Sequence, residues 1–427
     1  MEKINIGLIG LGTVGSGVLE MISNNQDKIS NITGRELIIK TIVVRNVAKH
    51  REEVADDILL TDDVNDVIND PDIKIAVEVM GGINPAKQII TDLLNAHKHV
   101  VTANKDLIAS HGDELAKIAH KNTADLVYEA SVAGGIPILR TIVNSFAADE
   151  ILEVKGIVNG TTNYILTQMQ QKSWSYEDAL KKAQELGFAE SDPTNDVAGI
   201  DATYKMIILS QFSFGSHIAL EDINIEGIQN IKLEDVTQAA KFGYTIKLLG
   251  IATRVGNGIF AEVAPVLVPS DHPLATIHNE NNAVMVTGQA VGETLFYGPG
   301  AGGLPTANSV LSDIVSVTKN IVLGTTGNTF NNYQHESEPI DKSNVIYPYY
   351  LSLQMKDIPG QILKVTKLMT ELGASFSQIV QTKANDTEAR VIFITHSMSK
   401  DQLKTLKEEI AKFDSISLNA AYKVLEN

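Results

Sequence analysis

Gly10-Leu11-Gly12-Thr13-Val14-Gly15 follows directly on the apolar run Ile4 to Ile9 and opens a helical pattern. That order confines the start of the chain to a strand, a tight turn and a helix. Gly10 permits the turn, Gly12 lets a pyrophosphate approach the backbone, and Gly15 allows close helix packing, while free amides at the helix start can receive phosphate. A glycine-rich structural turn is the competing reading. It is the weaker one here, because the motif sits at the N-terminus between a preceding and a following strand. Further runs at Leu37 to Val44, Ile75 to Val79, His99 to Thr102 and Leu126 to Glu129 alternate with helical patterns. Residues 1–150 are therefore expected to form an α/β, Rossmann-type parallel sheet covered on both faces.

From 151 the rhythm changes. A strand-like run, Ile151 to Val158, precedes long helical stretches, one opening on the capping pattern Ser175-Tyr176-Glu177-Asp178. Ile246 to Val268 and Ala283 to Val291 alternate like antiparallel strands, so 151–300 reads as a mixed α+β domain. A helical run near Thr306 to Val322 follows glycine-rich turns, and 301–323 is expected to rejoin the first domain. Residues 324–348 are polar with no apolar period and read as a linker. The tail, 349–427, reads strand, helix, two strands, helix, strand (Tyr349 to Met355, Gly360 to Leu372, Ser375 to Thr382, Ala389 to His396, Lys400 to Phe413, Ser415 to Tyr422). This is a split βαβ pattern.

The 427 residues suit roughly three domains. Hydrophobic residues at 44% and charged residues at 20% are ordinary for a globular protein. A net charge of -17 without a basic run disfavours nucleic acid and anionic membranes as partners and leaves small molecules. With no cysteine, disulfides, thiolate metal sites and cysteine nucleophiles are absent, which fits a reducing, cytoplasmic setting. The first apolar run lacks the flanks of a signal peptide, and no stretch of about twenty apolar residues occurs.

The second strand closes at Arg45, where NAD-preferring folds place an acid. Arg45, with Lys49 nearby, suits a 2′-phosphate and favours NADP; a solvated surface cation is the alternative reading of either residue. Lys105, in Thr102-Ala103-Asn104-Lys105, lies past the carboxyl end of a parallel strand, where ligands bind in such sheets; an exposed loop lysine is the plainer alternative. Between Ala183 and Lys205 fall Glu190, Asp192, Asp196 and Asp201. Asp201 and Lys205 are four apart at the start of an apolar helix and share a face. A solvent-facing pair would contribute about 0.3 to 0.5 kcal/mol and explain nothing more. The concentration of acid instead suits an ammonium group, hence an amino-acid-like substrate, and a lysine ammonium can supply charge and a proton to a carbonyl being reduced. No nucleophile elbow, P-loop or paired-histidine helix occurs, and the ten histidines lack ligand spacing.

The run Ala183, Gly187, Phe188, Ala189, Asp192-Pro193, Asp196, Val197, Gly199, Asp201 and Lys205 resembles the signature of the homoserine dehydrogenase family. The glycine motif, the Thr102 to Lys105 run and the turn Asn159-Gly160-Thr161-Thr162 fit as well. With no kinase half before Met1, the resemblance is to the monofunctional form with a C-terminal ACT domain. It implies interconversion of L-aspartate 4-semialdehyde and L-homoserine, in threonine and methionine biosynthesis. By matching position, Lys205 is the implied proton donor and Lys105 its partner. Glu190 and Asp201 would hold the substrate, with Asp196, Gly187 and Thr161 lining the pocket. Gly10, Gly12, Thr13, Val14, Gly15, Arg45, Lys105 and Gly302 would hold NAD(P). The resemblance further implies a sodium ion held by Glu129 and by Val132, Gly134 and Ile136, for which a buried capping glutamate is an equal alternative. Lys356-Asp357-Ile358-Pro359-Gly360 marks the first turn of the tail, where Pro359 can start the helix and Asp357 favour its amide end. Such tails bind an end-product amino acid, often threonine, or serve only in forming the expected homodimer. The rivals are another amino-acid dehydrogenase of related layout and a non-catalytic ACT-type sensor; the first does not require the Ala183 to Lys205 pattern, and intact Lys105 and Lys205 count against the second.

Overall fold

The computed structural model describes residues 1–338, Ile340 and 342–426; positions 339, 341 and 427, which fall in the expected linker and at the end of the expected tail, lie outside the described residues. The chain divides into two compact units, one formed by Met1–Ile151, Tyr204–His217 and Asn282–His335, the other by Leu152–Thr203, Ile218–Asn281 and Glu336–Asn427.

In the first unit, β1 (Lys3–Ile9), β2 (Glu36–Val43), β3 (Leu59–Thr61), β4 (Ile73–Glu78), β5 (His99–Thr102) and β6 (Leu126–Val127) form a parallel sheet in the order β3-β2-β1-β4-β5-β6. Its central strands are apolar without alternation because helices cover both faces, and Ile6, Leu8, Ile75 and Val77 are fully enclosed. The chain order reverses between β1 and β4, which opens the crevice where such sheets take ligands. β3 and its turn were not legible in the sequence. β6 is shorter than expected, since Glu129–Ser131 turns into a 3-10 helix.

The second unit carries β7 (Ile151–Ile157), β8 (Asn224–Ile225), β9 (Tyr244–Val255) and β10 (Gly258–Pro269). β9 and β10 pair antiparallel along their whole length, from Tyr244 opposite Pro269 to Val255 opposite Gly258, and β9 also pairs β7. The expected cap forms at helix Tyr176–Glu185, where the Ser175 side chain accepts from the Asp178 amide.

The hairpin β11 (Asn281–Gly288) and β12 (Gly292–Pro299) then leads into the helix Gly303–Leu323, back in the first unit. This helix packs closely on Thr13–Thr33: a Cβ on Gly17 would stand 3.0 Å from both the Gly303 oxygen and Ala307 Cβ.

In the tail, β13 (Ile346–Tyr347) pairs β17 (Met398–Ser399), while β14 (Tyr349–Lys356), β15 (Phe376–Lys383), β16 (Glu388–Thr395) and β18 (Ile416–Val424) line up as β18-β14-β16-β15. With helices Gln361–Glu371 and Lys400–Ile410 this is the expected split βαβ. Tyr349, Leu351, Leu353 and Met355 alternate inward onto Val365, Leu368, Leu406 and Ile410. The first helix begins one residue beyond Gly360, whose φ is 90°, so Pro359 does not start it. Asp357 accepts from the Gln381 side chain at 3.2 Å instead. β18 also runs parallel to β10, Val266 opposite Lys423 and Leu267 opposite Val424, so the second unit holds one sheet ordered β7-β9-β10-β18-β14-β16-β15.

Candidate active site

The glycine turn closes β1 as its sequence requires. Gly10 takes φ 105°, and a Cβ there would lie 2.9 Å from the Val79 oxygen. A Cβ on Gly15 would fall 2.2 Å from the Gly10 oxygen. Gly12 caps the helix Thr13–Thr33 with no side-chain bond, and apart from its chain neighbours nothing lies within 4 Å of where its Cβ would be, which leaves space for a phosphate beside it. Thr13 and Val14 form the first helical turn. A cleft of about 640 Å³ lies alongside, lined by Gly10, Leu11 and Gly12 and by Arg45, Lys49 and His50. Asp62 and Asp63, which follow the unforeseen β3, share its rim.

Lys105 is half-buried at the first position of the helix Lys105–Lys121, with Asn104 as cap, and its ammonium stands 3.7 Å from Asp106. The turn that presents it hangs on a buried carboxylate missed in the sequence. Glu78, at the end of β4, accepts from the amides of Met80 and Gly81 at 2.9 and 3.1 Å and from the Thr102 hydroxyl at 2.6 Å. Thr102 Oγ1 in turn accepts from the Asn104 amide at 3.0 Å, and the Asn104 side chain donates to the Gly82 oxygen at 2.6 Å. Glu78 thus ties the turn after β5 to the turn after β4, which lies against Gly10. An acid closing an otherwise apolar strand was the available signal.

Gly302, φ 114°, caps Gly303–Leu323. Glu129 is buried in the same unit. Its two carboxylate oxygens accept from the Leu139 and Arg140 amides at 2.9 and 2.8 Å, which caps the helix Ile138–Ser145. Burial, then the neighbouring Asp313, pushes the Glu129 carboxyl up to about 7. Asp313 itself is raised by burial to about 6, although Arg140 pairs with it. The capping alternative is therefore what the side chain does. The adjoining turn takes positive φ at Ala133 and Gly134, and Val132, Gly134 and Ile136 are buried beside Glu129. The Gly134 oxygen also accepts from Ser309 at 2.7 Å, and that of Ile136 from the Ile138 amide at 2.8 Å.

In the second unit the acid-rich segment resolves into separate jobs. Asp192 is a turn former: Oδ1 accepts from the Thr194 hydroxyl at 2.6 Å and amide at 3.1 Å, and those bonds hold its carboxyl below the usual range. Glu190 is exposed. Gly187, φ 77°, ends the helix Tyr176–Glu185, and the Thr161 hydroxyl donates to the next carbonyl, of Phe188. Asp196 and Asp201 are brought together by Asn159, whose Nδ2 donates to Asp196 Oδ1 and to Asp201 Oδ2, each at 2.8 Å. Asn159 belongs to the quoted turn, but nothing in the sequence marks it as more than the cap of the helix Gly160–Lys172.

Asp201 and Lys205 stand one turn apart on the helix Ile200–Phe214, which starts in the second unit and continues in the first. It is enclosed almost all round; Tyr204 and Lys205 are half-buried. In the first unit this helix is bonded to the one that Lys105 opens, through Gln211 and Asp113. Its far end packs Phe212 edge-on to Tyr128 and Phe330.

Family models match along the chain: "Homoserine dehydrogenase, NAD binding domain" over residues 10–129, "Homoserine dehydrogenase" over 137–315 and "ACT domain" over 349–414. The homoserine dehydrogenase of Bacillus subtilis is 46% identical over 430 residues, covering 100% of this chain and 99% of the relative. The crystal structure of a homoserine dehydrogenase from Thiobacillus denitrificans superposes with TM-score 0.95 at 37% identity, over 100% of this chain and 99% of that one. A hyperthermophilic archaeal homoserine dehydrogenase in complex with NADPH gives TM-score 0.64 at 28% identity, over 74% of this chain and 98% of that one. The chain belongs to the homoserine dehydrogenase family of NAD(P)-dependent oxidoreductases, with a C-terminal ACT domain.

Proposed function

We propose that the chain oxidises L-homoserine to L-aspartate 4-semialdehyde and reduces it back, serving threonine and methionine biosynthesis in the cytoplasm, with Lys205 as the proton donor. The observation that carries this is the fate of the Ala183 to Lys205 segment, whose Asp196 and Asp201 are held by one amide just ahead of the half-buried Lys205. A nicotinamide cofactor, held by the glycine turn Gly10 to Gly15, would supply or accept the hydride at the carbon bearing the oxygen. In the reducing direction the Lys205 ammonium donates its proton to the aldehyde oxygen, and in the oxidising direction its amine takes the hydroxyl proton, so charge and atoms balance. Lys105 assists at that oxygen. Glu190 and Asp201 hold the substrate, with Asp196, Gly187 and Thr161 around it.

NADP is the preferred cofactor in this reading, supported by Arg45 and Lys49 beside the cleft and by the NADPH complex of the archaeal relative. The glycine turn, Thr13, Val14, Lys105 and Gly302 complete its binding set. Glu129, Val132, Gly134 and Ile136 would hold a sodium ion that stiffens the turn before Ile138–Ser145. The functional divisions are 1–150 with 301–323 for the cofactor, 151–300 for substrate and homodimer, a linker at 324–348, and a tail at 349–427 that senses threonine or a similar amino acid.

Product analysis tests the reaction. Incubation with L-homoserine and NADP⁺ should yield one reduced nicotinamide per aldehyde and no ammonia. Ammonia release would point to oxidation at the amine-bearing carbon, as in other amino-acid dehydrogenases, and would overturn the proposal.

A further inference from the structure

Glu78 is fully enclosed at the end of β4, and its side-chain partners all donate to it. The Met80 and Gly81 amides reach Oε1 at 2.9 and 3.1 Å, and the Thr102 hydroxyl reaches Oε2 at 2.6 Å. A carboxyl group met only by donors is held in its ionised form, accepting at both oxygens. None of these partners is charged, so burying an anion on an otherwise apolar strand is costly. What the anion provides is span, because its two oxygens serve turns that follow two different strands. On the Oε1 side the turn carries Gly81 and Gly82 at φ 74° and 79°, and Val79 and Met80 line the cleft. Those two residues also lie against Gly10, where a Cβ would stand 2.9 Å from the Val79 oxygen and 3.1 Å from the Met80 nitrogen. On the Oε2 side, Thr102 Oγ1 accepts from the Asn104 amide at 3.0 Å, and Asn104 Oδ1 accepts from the Leu107 amide at 3.3 Å, capping the helix that Lys105 opens. Asn104 Nδ2 then returns to the Gly82 oxygen at 2.6 Å. The bonds close a ring from Glu78 through Thr102 and Asn104 back to the turn that Glu78 itself holds.

We propose that Glu78 is a positioning residue for the reaction: it fixes the first turn of the Lys105 helix against the wall of the cofactor cleft, and so sets where the Lys105 ammonium meets the reacting oxygen. This rests on the reading of Lys105 as a partner at that oxygen. Glu78 takes no part in hydride or proton transfer. It acts through Thr102 and Asn104 by setting the polarity of the ring. By taking the Thr102 hydroxyl proton, Oε2 leaves the lone pairs of Oγ1 to the Asn104 amide.

Glu78→Gln is the discriminating variant. It keeps the size, but its NH₂ must face a donor, either the two amides or the Thr102 hydroxyl. The readouts are kcat and KM for L-homoserine at saturating NADP⁺, NADPH binding by fluorescence, and Tm, taken both in the unaltered chain and in Lys105→Ala. In the unaltered chain kcat should drop roughly 10- to 100-fold, the scale of a hydrogen bond to a buried charge, with NADPH still bound. Added to Lys105→Ala, the same change should cost less than about two-fold more, because the group it positions is gone. An equal loss in both backgrounds would mark a general structural role and overturn the inference, as would a folded Glu78→Gln protein with unaltered kcat. Thr102→Val, which removes the hydroxyl, should match Glu78→Gln, and Thr102→Ser, which keeps it, should restore most of the rate. That pair carries the test if the glutamine variant does not fold or the Lys105→Ala rate is too low to follow, and equal rates for valine and serine would overturn the inference. If Lys105→Ala alone turns over at the unaltered rate, the reading of Lys105 falls and this inference with it.

Discussion

At the residue scale, a side chain's conformational demand was readable in advance and its partners were not. Gly10, Gly12 and Gly15 announce themselves because the turn excludes a Cβ at Gly10 and Gly15 and the open helix end calls for none at Gly12. Asn159 and Glu78 do not, since an asparagine before a helix and an acid after a strand are ordinary until the groups they bridge are known. Asp192 was counted with the acids of the substrate cluster, yet its carboxylate serves the turn at Thr194. Arg45 was legible from its position after the second strand, and it lines the cleft as that position requires. If it meets a 2′-phosphate, Arg45→Asp should lower kcat/KM for NADP by roughly 10- to 100-fold, the worth of a charge-assisted contact, and leave or improve that for NAD. Steady-state kinetics with both cofactors check this, and an unchanged NADP to NAD ratio would remove Arg45 from cofactor selection.

At the scale of elements, long apolar runs gave their strands to within a residue or two, as with His99–Thr102 and Ile151–Ile157. Strands made by context escaped. β3 is three residues long, and β12, Gly292–Pro299, has no fully buried position, so neither carries a long apolar run. Burial of charge within strands was equally hidden. Lys247, on β9, donates to Asn163 Oδ1 at 2.9 Å and to the Ile277 oxygen, joining its strand to the helix Gly160–Lys172 and to the segment before β11. Burial brings its ammonium down to about 7, with His278 nearby also lowered, first by its own burial and then by Lys247. Between about 7 and the ordinary lysine value of 10.5 the unfolded chain holds a proton that the folded chain has released, so stability rises with pH across that window. Below it both states are protonated and the slope vanishes. Urea unfolding at pH 7, 8 and 9 should show a gain approaching about 1.4 kcal/mol per pH unit from this group, absent in Lys247→Met. Parallel pH profiles for the two proteins would rule the effect out.

Across the whole molecule, a net charge of -17, and no helix among the described residues long and apolar enough to cross a membrane, agree with a small-molecule enzyme. The tail reads as separable because its split βαβ pattern is complete in itself. Its last strand nevertheless joins the sheet of the second unit at β10, a pairing of two residue pairs plus the Leu425 amide to the Leu267 oxygen that no local pattern could disclose. Buried ion pairs reinforce the joint: Lys423 with Glu262, and Arg390 with Asp235 at 2.8 Å. Removing one partner of such a pair costs about 3 to 5 kcal/mol. Deleting the chain after Pro348 should therefore abolish any threonine response and also lower Tm by several degrees or more, with Glu262 and Asp235 left unpaired. Differential scanning calorimetry checks it, and an equally stable truncated protein would contradict the joint's energetic role. The proposed reaction turns on proton transfer by Lys205. Its most direct measurement is kcat for homoserine oxidation by Lys205→Ala at saturating substrate and cofactor. A fall on the order of 10² to 10⁴, with NADPH still bound at its usual affinity, is the predicted result, and turnover near that of the unaltered protein would contradict it.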